Sequence, residues 1–163
     1  MIFVTVGTHE QQFDRLIKSM DEWASKHDEE VIIQTGYSTY HPKNAKWKML
    51  FSYSDMIAHV NDARIVITHG GPSSFIMPLQ VGKTPIVFPR KQVYDEHVNN
   101  HQLEFSRQVE KRMGTIIVAE EVDDLYNALE NYEDLTENLG NNLTSNNSNF
   151  CDKLGKIIEE LVK

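Results

Sequence analysis

The sequence predicts an α/β fold built on a single doubly wound parallel sheet of about six strands, and three observations carry that expectation. Short apolar, β-branched runs alternate with segments whose apolar residues recur at helical spacing, from residue 2 to about residue 132 of the 163. The runs are apolar at consecutive positions, as in strands covered on both faces; strands with one wet face would alternate. Glycines end three of them, at positions 7, 36 and 70–71, where the chain must turn.

In chain order, Ile2, Phe3, Val4, Thr5 and Val6 form the first strand, which stops at Gly7. Phe13, Leu16, Ile17, Met20 and Trp23 then share one face of an amphipathic helix that runs to about Ser25. Residues 31–35 make the second strand, and 36–48 read as loop. A short strand at 49–51 leads into a helix capped by Ser52 or Ser54, with Met56, Ile57 and Val60 turned inward. Strand 64–68 is followed by the turn His69-Gly70-Gly71-Pro72-Ser73-Ser74 and a short helix over 75–81. Pro78 inside that helix lacks an N–H and crowds the preceding turn, so a late start or a kink with an irregular first turn is expected. Residues 84–88 are a strand, 96–112 the longest helical stretch, 115–118 the last strand and 123–132 a further helix. The Asn-rich run from 138 to 149 has no packing capacity, and helical spacing resumes through Leu154, Ile157, Ile158 and Leu161. The chain thus divides into one Rossmann-like domain over 1–135, a linker over 136–149 and a C-terminal helix over 150–163.

Composition narrows the function. A 40% hydrophobic, 25% charged chain can build a real core, and a formal charge of −8 is the wrong sign for a nucleic-acid binder. The single cysteine, Cys151, excludes an internal disulfide framework and a Cys-based zinc cluster. No apolar run approaches a membrane span, and the amino terminus lacks the basic flank of a signal peptide, so a cytoplasmic protein is expected. Residues 95–163 hold 15 acids and 6 bases, and 120–137 carry eight acids and no base. The plain reading of that block is a solvated helix face; a surface lying on anionic lipid needs the opposite sign. His41, Lys43, Lys46 and Lys48 with Tyr40 and Trp47 form a small basic-aromatic loop, either simply solvated or in contact with a partner or lipid head groups.

Ligands of such sheets bind at the carboxyl ends of the strands, so the strand-to-helix turns are the candidate sites. In the first, Gly7 allows close backbone approach and Thr8 offers a hydroxyl at a helix start, with His9 at the mouth. It is not G-x-G-x-x-G, so a dinucleotide fingerprint is absent. In the second, Gly70 and Gly71 remove side chains where a diphosphate would sit, while freed N–H groups and the hydroxyls of Ser73 and Ser74 converge at a helix amino terminus. A tight turn with a Ser cap would look the same. The turn matches neither a P-loop nor a G-x-S-x-G elbow. The third, Glu96-His97-Val98-Asn99-Asn100-His101-Gln102, opens the long helix with side chains suited to hydrogen-bonding sugar hydroxyls, or only to solvent. His97 and His101 stand at metal-ligand spacing, but nothing supplies a third ligand, so no metal is expected.

Together, Phe3 to Thr8 with Phe13-Asp14 and Leu16-Ile17, then Ile67-Thr68-His69-Gly70-Gly71, then Gly82-Lys83-Thr84-Pro85-Ile86-Val87, then Asn99-Asn100-His101-Gln102-Leu103-Glu104 resemble the C-terminal, donor-binding half of MurG-type GT-B glycosyltransferases. The blocks occur in the family's order and spacing over about residues 1–130. The chain is similar to split members of the family, the donor subunit of the two-part dolichol-pathway GlcNAc transferase and, more closely, the bacterial PssE-type exopolysaccharide and capsule subunits. The resemblance implies one half of a GT-B fold, a UDP-sugar substrate, inverting transfer without a cofactor or obligatory metal, and a membrane-associated partner subunit that binds a lipid-diphosphate-linked sugar and recruits the chain to the membrane. It implies diphosphate contacts at Gly7, Thr8 and His69 through Ser74 (with Gly70, Gly71, Pro72 and Ser73 between), a uracil reader at Ser52-Tyr53, and sugar contacts at Glu96, Asn99, Asn100, His101 and Gln102. The general base would lie on the partner, or at His9 if it is here. One departure matters: the helix position where the family carries a ribose-binding Glu is Met77. A non-catalytic UDP-sugar-binding module that regulates or enhances a partner transferase is the rival expectation.

Overall fold

The computed structural model describes residues 1–139 together with 152, 153 and 156. Six strands, β1 (Ile2–Thr5), β2 (Val31–Gln34), β3 (Lys46–Lys48), β4 (Ile65–Thr68), β5 (Ile86–Val87) and β6 (Ile117–Val118), form one sheet in the order β3-β2-β1-β4-β5-β6. Every pairing is parallel, with Ile2 opposite Val31 on one side and Ile65 on the other. The strand order reverses between β1 and β4, so the loops leaving their carboxyl ends diverge and open a crevice there.

The pleat sends alternate residues to opposite layers. Ile2 and Val4 pack with Leu16, Ile17, Met20 and Trp23 of α1 (Asp14–Lys26) and Leu125, Ala128 and Leu129 of α5 (Val122–Glu130). Phe3 and Val66 face the other way, onto Val60 of α2 (Tyr53–Asp62). On that same side Val87 and Ile116 meet Phe75 and Leu79 of α3 (Pro72–Gln80) and Val109 of α4 (His101–Met113). Helices on both faces make this a Rossmann-like, doubly wound α/β domain.

The passage from β2 to β3 has no helix, and two aspartates of α1 hold its loop instead. The buried Asp21 carboxylate accepts from the backbone N–H of Lys43 (3.0 Å), Asn44 (2.7 Å) and Ala45 (2.9 Å) and from the Tyr40 hydroxyl (2.8 Å). Asp14 accepts from the N–H of Thr39 (2.8 Å) and Tyr40 (3.1 Å) and from the Thr39 hydroxyl. Burial opposes ionisation of both, but these donors outweigh it and hold both carboxyls below their ordinary range. The unfolded chain therefore takes up protons that the folded chain refuses, so this stabilisation is complete at neutral pH and is lost as pH falls below about 4. Asp21→Ala is expected to cost about 3 kcal/mol in urea denaturation at pH 7 and to reduce the acid-induced loss of stability, because the three N–H groups lose their acceptor.

Several boundaries differ from expectation. The third strand lies at Lys46–Lys48, not 49–51, because an edge strand with both faces exposed needs no apolar run. The long helix starts at His101, not 96; residues 92–100 form a 3-10 turn, Gln92–Tyr94, and a polar loop in which Asp95 takes the left-handed conformation at φ 54°. Helix α3 starts before Ser74, with Pro72 in its first turn, and Pro78 sits inside it. That first turn is tightened, the Ser74 N–H donating to the Gly71 carbonyl three residues back. Residues 132–139 are helical, so 136–139 of the expected linker continue that helix. The rest of the linker and, apart from three positions, the expected C-terminal helix fall outside the described residues. Among the described residues no helix is long and apolar enough to cross a membrane.

Candidate functional site

A cleft of about 830 Å³ opens at the crevice beyond β1, β2 and β4. One wall is the loop after β1, Gly7 through Glu10, and the other is the Ser73, Ser74 and Met77 flank of α3. Phe51, Met56, Val60 and Val66 form an apolar floor, and Tyr53 stands at the rim, 74% exposed.

His69 is the hub of this site. It follows β4 directly and lies buried between the first two turns, where both glycines make room for its ring. A Cβ at Gly7 would stand 2.9 Å from His69 Cδ2 and closer still to Nε2; one at Gly71 would overlap Cε1 and stand 3.0 Å from Nδ1. Gly7 also has φ +75°, a conformation other residues rarely adopt. Gly70 serves a different neighbour, since a Cβ there would meet Gln102 Cβ of α4 at 2.7 Å. The glycines thus admit an imidazole and a helix.

The hydrogen bonds fix the ring's tautomer. Nδ1 accepts from the Gly71 N–H (3.0 Å), so the ring proton is on Nε2, which donates to Ser74 Oγ at 2.6 Å. Ser74 lines the cleft, and with an Oγ lone pair taken its own proton is free to be given to an anion there. The Ser73 N–H, at the second position of α3, has no acceptor among the described residues. Together with the helix dipole, these donors make the start of α3 a place for negative charge.

Burial, with the Arg90 guanidinium next in weight, pushes the His69 pKa down to about 4, so the ring is neutral at pH 7. Between pH 6.5 and about 4 the unfolded chain binds a proton that folded His69 refuses. Stability should therefore fall with pH across that window, above the range where Asp14 and Asp21 act, and His69→Gln should flatten it in urea midpoints taken at each pH.

The third turn is organised by residues whose roles composition does not reveal. Arg90, completely buried just beyond β5, donates from Nη1 to the carbonyls of Gln11, Gln12 and Glu96 (3.0, 3.0 and 3.1 Å) and from Nη2 to that of Val6 (3.0 Å). Its guanidinium lies 4.7 Å from the Phe13 ring centroid. The Glu96 side chain, expected at an open helix start as a sugar reader, is itself buried. Arg15 grips it bidentately at 2.8 and 2.9 Å, and the Lys91 N–H donates to it at 2.9 Å. Glu96 is thus enclosed by the protein and is placed as a strut of the loop. The signal that could have found this pair is the run of charged residues immediately beyond a buried strand, where a solvated turn needs none.

The remaining expected residues divide. Gly7, Thr8, His9, Tyr53, His69, Ser73 and Ser74 line the main cleft. Gly70, Pro72, His101 and Gln102 instead line a second depression, about 380 Å³, between α3 and α4. Gln102 Oε1 accepts from the N–H groups of Gly70 (3.1 Å) and Arg90 (3.2 Å), tying the second turn to the third. Asn99 and Asn100 accept from the N–H groups of His101 and Gln92 and so shape their own loop. Ser52 is the α2 cap, accepting from the Asp55 N–H at 3.1 Å. His9 lies against His97 at the mouth between the first and third turns, ring centroids 5.3 Å apart and planes tilted by 38°. Among the described residues no group of three His, Cys, Asp or Glu side chains is placed to hold a metal ion.

Comparison with known proteins agrees with this fold. The human protein "UDP-N-acetylglucosamine transferase subunit ALG13" is 31% identical over 121 residues, which is 68% of this chain and 10% of that protein. Among solved structures, the calicheamicin glycosyltransferase CalG4 superposes with a TM-score of 0.60 at 11% identity, covering 99% of this chain and 44% of its own. The glycosyltransferase SnogD from Streptomyces nogalater gives 0.57 at 17% identity, covering 96% and 43%. The chain therefore spans less than half the length of each of these proteins, and the two structures share its fold, that of one half of a GT-B enzyme. The model of the glycosyltransferase family 28 C-terminal domain matches residues 1–160, and the chain belongs to that family.

Proposed function

We propose that this chain is the UDP-sugar-binding subunit of a two-component inverting glycosyltransferase. It would transfer a hexose, galactose or glucuronic acid, to a lipid-diphosphate-linked sugar in exopolysaccharide or capsule biosynthesis. The observation that carries the reading is the start of α3, where the Ser74 hydroxyl, set by neutral His69, and the free Ser73 N–H face a cleft with an apolar floor. A nucleoside diphosphate would place its phosphates at those donors and its base toward Phe51, Met56 and Tyr53. The human relative, a subunit of a UDP-N-acetylglucosamine transferase, supports both the donor class and the need for a second chain.

In this reading the acceptor hydroxyl attacks the anomeric carbon from the face opposite the leaving group. The bond from that carbon to the diphosphate oxygen breaks, and UDP departs with the electron pair. The start of α3 stabilises the growing phosphate charge; losing one such donor typically costs a hundred- to a thousandfold in rate. The hydroxyl proton goes to a base on the partner subunit, which also closes the cleft against water, or to His9 at the mouth. No metal is given an obligatory part, and stable recruitment to the membrane is assigned to the partner, to which any lipid contact of this chain is an addition.

Met77 lines the cleft where the family resemblance places a ribose-binding Glu, and this favours a second reading, a UDP-sugar-binding module that enhances its partner without catalysing. Calorimetry with UDP and ADP, followed by turnover with a panel of UDP-sugars and the co-expressed acceptor subunit, tests both. The expected result is UDP binding in the isolated chain and turnover only in the pair, lost in Ser74→Ala. Turnover that survives Ser74→Ala supports the module, and absence of UDP binding removes both readings.

A further inference from the structure

We propose that the β3 end of the sheet is a membrane-contact surface that seats on anionic lipid head groups. Five of the eleven exposed large hydrophobic residues, Tyr37, Trp47, Met49, Leu50 and Tyr53, fall within this one stretch of the described chain. Lys43, Lys46 and Lys48, all exposed, are interleaved with them. Trp47 carries the His41 ring stacked on it at 5.0 Å on one face of the edge strand, and Lys46 and Lys48 project from the other, so the aromatic and cationic groups flank the open edge of the sheet.

Lysines on an unpaired edge have a simpler use, discouraging strand addition from another molecule. That accounts for Lys46 and Lys48 but not for Trp47, Met49 and Leu50 left in water beside them. The composition also separates lipid from protein as the occupant. Protein interfaces are depleted in lysine, whereas membrane interfaces combine Trp and Tyr at head-group depth with lysines whose stems lie along the apolar surface.

The charge distribution fits an anionic surface although the chain is acidic overall. Lys46 is paired with Glu30, Lys48 lies 5.6 Å from the Phe51 ring centroid, and Lys43 makes no ion pair among the described residues. Asp21 is buried under the 35–45 loop, and Asp14 is bonded to the backbone of Thr39 and Tyr40 in that loop. Glu120 and Glu121 follow β6, at the opposite end of the sheet. Five strand spacings of roughly 4.8 Å separate the two ends, about three Debye lengths at physiological salt, so those acids do not cancel the lysines. Tyr53 belongs both to this surface and to the cleft rim, so docking brings the cleft mouth to head-group level. Under the transferase reading a lipid-linked acceptor would lie there, but the lipid contact itself does not depend on that reading.

The test is co-sedimentation of the full chain with phosphatidylcholine vesicles, with and without phosphatidylglycerol. Binding is expected only with the anionic lipid and should be released by high salt. Lys43→Glu/Lys46→Glu/Lys48→Glu should weaken it on the order of a hundredfold or more, and Trp47→Ser/Leu50→Ser should also reduce it, with urea midpoints near that of the parent. No binding to anionic vesicles, or binding unchanged in both variants, overturns the proposal. So does loss of acceptor-subunit binding in these variants with vesicle binding intact, which would make the surface a protein interface. UDP binding is read separately, so failure of the donor-site reading leaves this result interpretable.

Discussion

Gly71→Ala is expected to weaken UDP binding at least a hundredfold and to cost the fold about 2–3 kcal/mol. The new methyl has no open space, because it overlaps Cε1 of the buried His69 ring and stands 3.0 Å from Nδ1. Overpacking a tight interior typically costs 1–3 kcal/mol, and the ring cannot swing aside freely with Gly7 on its other side. Displacing it breaks the Nε2–H to Ser74 Oγ bond, leaving the serine without the partner that orients its proton into the cleft. His69→Ala removes the obstacle, so the two substitutions should be strongly non-additive in stability, with a coupling of about 1–3 kcal/mol in a double-mutant cycle. UDP binding should stay weak in the double variant, since the His69–Ser74 bond is still gone. Strict additivity, or native UDP affinity in Gly71→Ala, would sink this account of the turn.

That account explains what the sequence makes legible and what it hides. The turn after β4 is readable as a site because two glycines and two serines directly follow a buried strand. Their use is not readable, because the ring that fills the space between Gly7 and Gly71 comes from His69, and only the fold brings residue 7 beside residue 69. The strand alternation and the two-sided cover follow from apolar runs at positions such as 2–4 and 65–67, where burial on both faces leaves no polar residue. The β3 segment leaves no such trace, since Lys46, Trp47 and Lys48 are exposed on both faces and only backbone pairing with β2 makes them a strand. The start of α4 is hidden for a related reason. Residues 96–100 are polar enough for a helix surface, but Glu96 is drawn inward by Arg15, 81 residues away in sequence, and helical spacing carries no information about that partner. Gln102 illustrates the same limit, placed as expected at the turn yet with its carbonyl oxygen committed to Gly70 and Arg90.

Arg90→Met is expected to be the most damaging single change behind the cleft, costing about 4 kcal/mol and loosening the loop after β1. Methionine has similar length and can fill the apolar part of the space, so the loss isolates the guanidinium. Four carbonyl oxygens, on Val6, Gln11, Gln12 and Glu96, would lose their donor, the Val6 and Glu96 oxygens in a buried setting, and removing one partner of a buried charged network typically costs 3–5 kcal/mol. Burial lowers the Arg90 pKa to about 10, with the Glu96 carboxylate acting the other way, so the side chain remains a cation at pH 7. Arg90→Lys keeps the charge but replaces a planar fork by a point donor that cannot reach Val6 on one side and the Gln11–Gln12 carbonyls on the other; about half the loss should remain. The split between stability and binding is the informative readout. Arg90 touches nothing in the cleft, yet it clamps the loop that carries Gly7, Thr8 and His9 against the third turn. Arg90→Lys should therefore weaken UDP binding by about tenfold while the chain is still folded, as measured by calorimetry well below its melting temperature. An Arg90→Met chain as stable as the parent in urea, or an Arg90→Lys chain with unchanged UDP affinity, would mean that the cleft wall holds its shape without this clamp.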